Sequence, residues 1–507
     1  LAALGGELER LAKIERYANS GNGADLNPKL SQRRKGKKLN RSDKNHFTDE
    51  ALKQLNDAYQ DGMFAYQREW DAASHHRIRN YLKSRQIGAT YHIAREKLIR
   101  AVNQGINQIF LSASKAQAHV FKGYMKQMAM DACGVELSGD PIVLPNGATL
   151  YFLGTNSKTA QSYHGDFIFD EYFWTQNFKE LRKVASGMAM QKMYTQTYLS
   201  TPSTINHEAY PFWTGEQHNA GRKLGDQVSI DVSHAALKNG RLCEDGQYRQ
   251  MITIEDALAG GNDRFDIEQL RLQYNDQDYQ NLLMCQFVND THSIFSLLEL
   301  QRCMVDSWVV WDDFEPLLLR PFGNRPVWLG YDPSRMRDDA SLCVLAPPAV
   351  KGAKFRVLEK FSWNGIDFES QAKYIYNLCQ KYNVEHMGID VSGMGVGVFE
   401  LVKKFYPGAT PITYSVEVKN RMVLKTKQLI SRRQIEFDAG WTDLALAFLT
   451  IHKAGTPSGR QISYQSSRTA TTGHADLAWS LMHAIDKLPL QMSDDIGRQN
   501  QSFMEIY

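Results

Sequence analysis

Two adjacent carboxylates, Asp170 and Glu171, close the apolar run Phe167, Ile168, Phe169 in the stretch YHGDFIFDEYFW. An unbroken hydrophobic run reads as a strand buried on both faces of a parallel sheet. The carboxyl end of such a strand is where open α/β sheets bind ligands. One acid there can hold Mg²⁺ while the next orients or deprotonates a water, the pairing that ATP hydrolysis requires. Two solvated acids at a strand end would look the same, so the reading depends on a phosphate loop upstream.

KSRQIGAT, residues 83–90, stands between the segment RIRNYL and the helical stretch YHIAREKLIRAV. That is the strand–loop–helix setting of a phosphate loop. Aligned on GxxxxGK[ST], Gly88 is the second glycine and Thr90 the Mg²⁺-binding hydroxyl, whereas Lys83 stands at the first glycine and Ala89 at the usual lysine. The physical need is a cation near the β- and γ-phosphates and backbone N–H groups at a helix N-terminus. Lys83 or Arg85 supplies that charge from the loop, and Ser84 and Gln86 complete its expected ATP contacts. In FAYQREW, Gln67 is placed to read an adenine edge, with Tyr66 or Phe64 to stack on it. Downstream, TYLSTPS reads as a strand ending in the hydroxyls Ser200 and Thr201.

Three further aspartates stand at element ends. Asp332 ends VWLGYD, Asp390 ends HMGID, and Asp476 opens the helical segment DLAWSLMHAI. Singly, each reads as a solvated terminus or, for Asp476, a favourable charge in a helix's first turn. Converged at one sheet edge, they would hold two Mg²⁺ or Mn²⁺ ions ~3.5–4 Å apart for phosphodiester cleavage. Asp338 and Asp339 are accessory-ligand or turn candidates, and His474 is a capping or water-orienting one. Gly393, Gly395 and Gly397 fail the GxGxxG fingerprint, because position 398 is Val, and read as a tight strand-to-helix turn beside Asp390. In VLKTKQLISRRQIEFD, Lys425, Lys427, Arg432 and Arg433 face either DNA phosphates or solvent.

The elements that must position these residues alternate along the chain. INQIFLSAS, TLYFLGT, GDFIFDE and TQTYLSTPS read as strands separated by helix-length segments, the pattern of a parallel sheet. A second α/β pattern begins at RPVWLGYDPS, with strands at SLCVLAPP, KFRVLEKF and EHMGIDVSG. The expected division is a helical segment and basic linker (1–45, including Arg33, Arg34, Lys35, Lys37 and Lys38), a first domain (46–294), a connector (295–325), a second domain (326–490) and a tail (491–507). At 507 residues there is length for two or three full cores. A net charge of +3 is too small to argue for nucleic acid by itself. The six cysteines show no CxxC pair, which points to a reducing cytosol and away from a zinc site. No apolar run approaches ~18 residues. The N-terminus shows no signal peptide, and its lack of Met is expected of a fragment of a longer chain.

Taken in order, these motifs resemble the large terminase subunits of tailed phages, and the KSRQIGAT loop and basic linker look most like the P2 type. The resemblance implies an N-terminal P-loop ATPase, a mostly parallel sheet flanked by helices, followed by an RNase H-like α/β nuclease domain. By position, Lys83 is similar to that family's displaced phosphate-binding lysine and Arg85 to a charge-stabilising arginine. Thr90 and Asp170 take the place of the Mg²⁺ ligands, Glu171 of the catalytic carboxylate, and Ser200 and Thr201 of the segment that couples hydrolysis to DNA movement. Asp332, Asp390 and Asp476 resemble the acidic nuclease triad, the second of which is Glu in many relatives. The implied activity is ATP-driven translocation of double-stranded DNA into a procapsid, with endonuclease cuts that make genome units. The implied partners are DNA, a small terminase subunit and the portal, with a ring of copies at work in the host cytoplasm. Two rivals remain: an ATP-regulated RNase H-like transposase, and a non-hydrolysing DNA-binding packaging adaptor.

Overall fold

The computed structural model describes residues 44–155, 163–273, 279–288, 293–316, 318–334, 340–350, 352–363, 365–393, 395–455, 462–466 and 475–488. The N-terminal helical segment and basic linker up to residue 43, together with Asp338, Asp339, His474 and the tail, lie outside these residues. The described residues divide into two compact units. The first lies within Leu1–Thr291, Met304–Leu319 and Asp438–Thr442, and the second within His292–Cys303, Arg320–Phe437 and Asp443–Tyr507. The expected connector is therefore shared between the two units. Among the described residues no helix is long and apolar enough to cross a membrane.

The first sheet contains β1 (Ile78–Lys83), β2 (Gln108–Ser112), β3 (Ile142–Val143), β4 (Thr149–Gly154), β5 (Asp166–Asp170), β6 (Gln196–Ser200), β7 (Arg241–Leu242) and β8 (Tyr248–Ile252). Their order is β3-β4-β2-β5-β6-β1-β8-β7. The six strands from β4 to β8 run parallel, and the two-residue edges β3 and β7 are antiparallel. Every residue of β2, β5, β6 and β8 is buried, as expected of strands covered on both faces. Register sets the site. Leu82 pairs with Ser200 and Asp170 with Leu199, so Lys83, Asp170, Glu171, Ser200 and Thr201 leave the sheet at one carboxyl edge.

Helices α1 (Asp49–Gln60), α2 (Ala65–Ala72), α3 (Ala89–Gln104) and α4 (Lys115–Cys133) flank this sheet. Thr48 and Ser114 cap α1 and α4 by accepting from Ala51 N and Gln117 N. Helix α3 starts from Gly88, whose φ of 77° favours glycine, and a Cβ there would meet Gln67 Nε2 at 3.2 Å. A buried charge chain fixes α3 to the sheet. Arg79 of β1 donates two bonds to Glu96 (2.9 and 2.6 Å), and Lys97 lies 3.1 Å from Glu96 and 3.6 Å from Asp166 of β5.

The second sheet runs β14-β13-β10-β11-β12-β15-β9. Its strands are β9 (Met304–Val305), β10 (Pro326–Asp332), β11 (Ala340–Ala346), β12 (Phe355–Trp363), β13 (Asn383–Asp390), β14 (Thr410–Ile412) and β15 (Ile435–Asp438). Strand β11 runs antiparallel to its neighbours β10 and β12, while β13 pairs parallel with both β10 and β14. Helix α5 (Asp476–Ile485) packs on β10, β11 and β13. Two glycines paired across strands, Gly330 and Gly388, make room for it. A Cβ at Gly330 would meet Ser480 O at 1.8 Å, and one at Gly388 would meet His483 O at 2.6 Å.

Candidate active sites

At the edge of the first sheet the residues are wired to one another. Lys83 Nζ donates to Glu171 Oε1 at 2.7 Å. The other carboxylate oxygen, Oε2, accepts from Ser200 Oγ (3.1 Å), Thr201 N (2.9 Å) and Thr201 Oγ1 (2.9 Å). Glu171 itself sits in the left-handed region (φ 51°, ψ 42°), a conformation held by its surroundings in a non-glycine residue. Burial would raise the Glu171 carboxyl, but Lys83 and the Thr201 donors outweigh it and hold the group below its ordinary range. Asp170 goes the other way: burial and the neighbouring Glu171 charge raise it to about 7. The Ser112 hydroxyl at the end of β2 opposes that rise, and Asp170 Oδ1 and Ser112 Oγ are both buried with no other hydrogen-bond partner among the described residues. A buried carboxylate with a hydroxyl beside it, next to a phosphate loop, fits a hard, hydrated cation such as Mg²⁺. Thr90, half-buried in the first turn of α3, offers a hydroxyl at the same helix end.

The loop between β1 and α3 is braced from several directions. Ser84 N donates to Ile252 O of β8 and Arg85 N to Leu282 O. The Arg85 guanidinium donates to Thr442 Oγ1 at 2.8 Å. Gln86 turns through the left-handed region at φ 57°. Gln67 Nε2 donates to Gly88 O at 3.4 Å while its Oε1 accepts from Phe64 N at 3.2 Å. Tyr66 is buried, donates to Ile87 O at 2.6 Å and accepts from Asn262 Nδ2 at 3.1 Å. These two side chains therefore hold the loop's backbone in this structure.

In the second unit, Asp332 and Asp390 end neighbouring parallel strands whose preceding residues, Tyr331 and Ile389, are paired. Asp476 lies in the first turn of α5, the helix seated on Gly330 and Gly388. Gly395 is required by the turn after Asp390, since a Cβ there would meet Asp390 O at 2.1 Å. Burial raises the Asp390 carboxyl, with the Ser392 bonds and the Lys419 charge opposing. Buried His483 of α5 places Nδ1 3.0 Å from Tyr331 O and Nε2 2.8 Å from Tyr414 Oη. Among the described residues no group of three or more His, Cys, Asp or Glu gathers closely enough to hold a metal ion. The segments 335–339 and 467–474, next to Asp332 and Asp476 in the chain, lie outside the description. The donor set of carboxylates suits Mg²⁺ or Mn²⁺.

Family comparisons bear on both units. A family described as "Terminase large subunit, T4likevirus-type, N-terminal" matches residues 80–302, and one described as "Terminase RNaseH-like domain" matches residues 329–488. A protein of Escherichia phage P2 named "Terminase, ATPase subunit" is 54% identical over 490 residues, covering 96% of this chain and 83% of that protein. This chain belongs to the phage terminase large-subunit family. The "Probable terminase, ATPase subunit" of Haemophilus phage HP1 is 43% identical over 476 residues, with 94% and 76% coverage. The crystal structure of the HK97 bacteriophage large terminase aligns at 13% identity over 84% of this chain and 95% of that one, with a TM-score of 0.33.

Some residues of this terminase subunit escape sequence reasoning. Strand β8, YRQMI, is buried throughout despite its polar letters, because Arg249 is paired with Asp245 at 2.6 Å. The Arg79–Glu96 pair was hidden in the same way. On helix α6 (Val416–Ser431), Lys425 and Lys427 are engaged internally, with Asp486 at 3.1 Å and Glu299 at 2.5 Å, which leaves Arg432 and Arg433 as the exposed pair. Lys419, in the first turn of α6, drew no notice; the signal was a cation at the wrong end of a helix dipole.

Proposed function

We propose that this terminase subunit hydrolyses ATP at the carboxyl edge of the first sheet and uses the energy to move double-stranded DNA into a procapsid. The observation that carries the reading is Glu171, held at one oxygen by Lys83 and at the other by Ser200 and Thr201. The P2 and HP1 relatives, each named as a terminase ATPase subunit, support it. Thr90 and Asp170 would hold the Mg²⁺ that accompanies ATP, which would supply charge neutralisation at the phosphates. Lys83 serves the phosphates, so the nucleotide competes with Glu171 for one ammonium. Freed of that pair, Glu171 orients the attacking water. Because its second oxygen is bonded to Ser200 and Thr201, turning Glu171 draws on the end of β6, the coupling step. Arg85 assists the transferred phosphoryl group after leaving Thr442, and Gln67 and Gln86 set the loop that receives it.

DNA-stimulated ATPase activity of Glu171→Gln tests this directly. Turnover should fall by ~10²–10⁴-fold, as for loss of a general base; an unchanged rate would sink the motor reading. Absence of DNA-stimulated turnover in the unaltered protein would revive the adaptor alternative.

We further propose that the RNase H-like unit cuts concatemeric DNA, with Asp332, Asp390 and Asp476 holding divalent cations. The placement of Asp332 and Asp390 on adjacent strand ends favours this reading. Asp390→Ala should abolish Mn²⁺-dependent plasmid cleavage while ATP turnover persists, and continued cutting by that variant would put the metal site elsewhere. A small terminase subunit, the portal and further copies of this chain are the proposed partners, in the host cytoplasm.

A further inference from the structure

We propose that helix α4 of the first unit presents a cationic ridge to the backbone of double-stranded DNA. This rests on the DNA-moving reading above. Within Lys115–Cys133 the basic residues Lys115, His119, Lys122 and Lys126 recur at intervals of four, three and four, which places them on one face of the helix. That face runs about 16 Å along the axis. The one acid of the helix, Asp131, falls on the far side.

Charge along the ridge is only partly answered. Asp140, just ahead of β3, lies 3.3 Å from Lys115 Nζ, 3.4 Å from His119 Nε2 and 3.3 Å from Lys122 Nζ. Lys126 is exposed and enters no ion pair among the described residues. Three lysines against one carboxylate leave the ridge cationic even with His119 neutral. The ring of Phe152 in β4, 5.8 Å from Lys122 Nζ, supports that ammonium from behind.

Gly123 stands among these residues, one turn beyond His119, and is exposed. A glycine inside a helix weakens it relative to alanine, and nothing lies within 4 Å of a Cβ built there. Packing within the chain does not require it, whereas an extended partner that comes close to the helix does. A DNA strand carries a charge every ~3.4 Å of its axis, so a ridge of this length meets several phosphates. A single small anion would engage one end and leave Lys126 idle. The position also suits the reaction. Helix α4 starts from Ser114, two residues after Ser112, whose hydroxyl acts on Asp170. One strand-to-helix turn thus joins DNA on the ridge to the nucleotide edge.

The test uses the full chain carrying Lys126→Gln, Lys122→Gln with Lys126→Gln, Gly123→Leu or Asp140→Asn. Binding of a short DNA duplex is measured in EDTA across a salt series, and ATP turnover with and without DNA separately. DNA-independent turnover and melting temperature report folding. The slope of log affinity against log salt should fall by ~0.9 in Lys126→Gln and by ~1.8 in the double variant, the values for one and two phosphate contacts. DNA stimulation of turnover should fall with it. Gly123→Leu leaves every charge in place and should weaken duplex binding several-fold. Asp140→Asn removes the competing carboxylate and should tighten it several-fold. Wild-type slopes in both lysine variants, or duplex affinity unchanged by Gly123→Leu and Asp140→Asn, would overturn the proposal. The occupant would then be an acidic protein surface, with Trp308 beside His119 and the neighbouring Val309 and Val310, all exposed, as its apolar contact. Absence of DNA-stimulated turnover in the unaltered chain would overturn the motor reading itself, whereas the slopes decide the ridge separately.

Discussion

The two sheets present their acids by opposite means. At the first, side chains 88 residues apart in sequence, Lys83 and Glu171, share an ion pair, and Ser200 and Thr201 complete a hydrogen-bonded circuit around one carboxylate. At the second, the acids are set by backbone: adjacent strand ends and a helix lowered onto two glycines. A site built from side-chain bonds is re-arranged by whatever competes for one of its members, which suits a cycle driven by nucleotide. Acids placed by close backbone contact keep their register but tolerate no added atoms. The first should therefore respond to changes of charge, the second to changes of volume.

Lys83→Met presses hardest on this contrast. Both members of the Lys83–Glu171 pair are largely buried, with 8% and 13% of their side chains exposed. Removing one partner from such a pair costs about 3–5 kcal/mol, because the remaining charge is left without its counter-ion. The first unit should lose about that much stability, and ATP turnover should disappear. Adding Glu171→Gln should restore most of the stability and none of the turnover, since the stranded charge is then gone. A single mutant as stable as wild type in denaturant titration would mean that the pair contributes nothing at rest.

Gly388→Ala tests the second sheet. Its Cβ would meet the carbonyl of His483 at 2.6 Å, and backbone cannot swing aside as a side-chain end can. Overpacking of this kind costs about 1–3 kcal/mol. It should displace Asp476 from Asp390, so plasmid cleavage fails while ATP turnover stays near wild type. Equal loss of both activities would show that the two sites are not supported independently.

Much of this was legible in the letters, and what was hidden was hidden for physical reasons. Apolar runs announced β5, β10 and β13, and the acids at their ends followed directly from strand polarity. The glycines after Asp390 declared a tight turn, which Gly395 makes. Strand β8 stayed hidden because an internal ion pair lets Arg249 lie in a buried strand, whereas periodicity counts it as polar. Gly330 and Gly388 were in plain view inside VWLGYD and HMGID, but a glycine in a strand signals close approach without naming what approaches. Lys83 as the partner of Glu171 could not be read from spacing at all, because register between non-consecutive strands creates that contact. Lys425 and Lys427 were ambiguous for the same reason, their acids being distant in sequence.

The smallest effect belongs to Tyr66, and it separates two accounts of how the loop is prepared for nucleotide. If the ring stacked on adenine, Tyr66→Phe would keep that contact and change almost nothing. In the structure the ring is buried, and its hydroxyl joins Ile87 O to Asn262 Nδ2. Phe leaves both groups short of a partner, at a cost of about 1 kcal/mol. The loop backbone beside Gly88 then loses one of its braces. The expected result is a rise of several-fold in the KM for ATP with little change in kcat, because Glu171 and its donors are untouched. Adding Asn262→Ala to Tyr66→Phe should cause little further change if the hydroxyl is the link between them, whereas additive losses would place the two residues on separate supports of the loop.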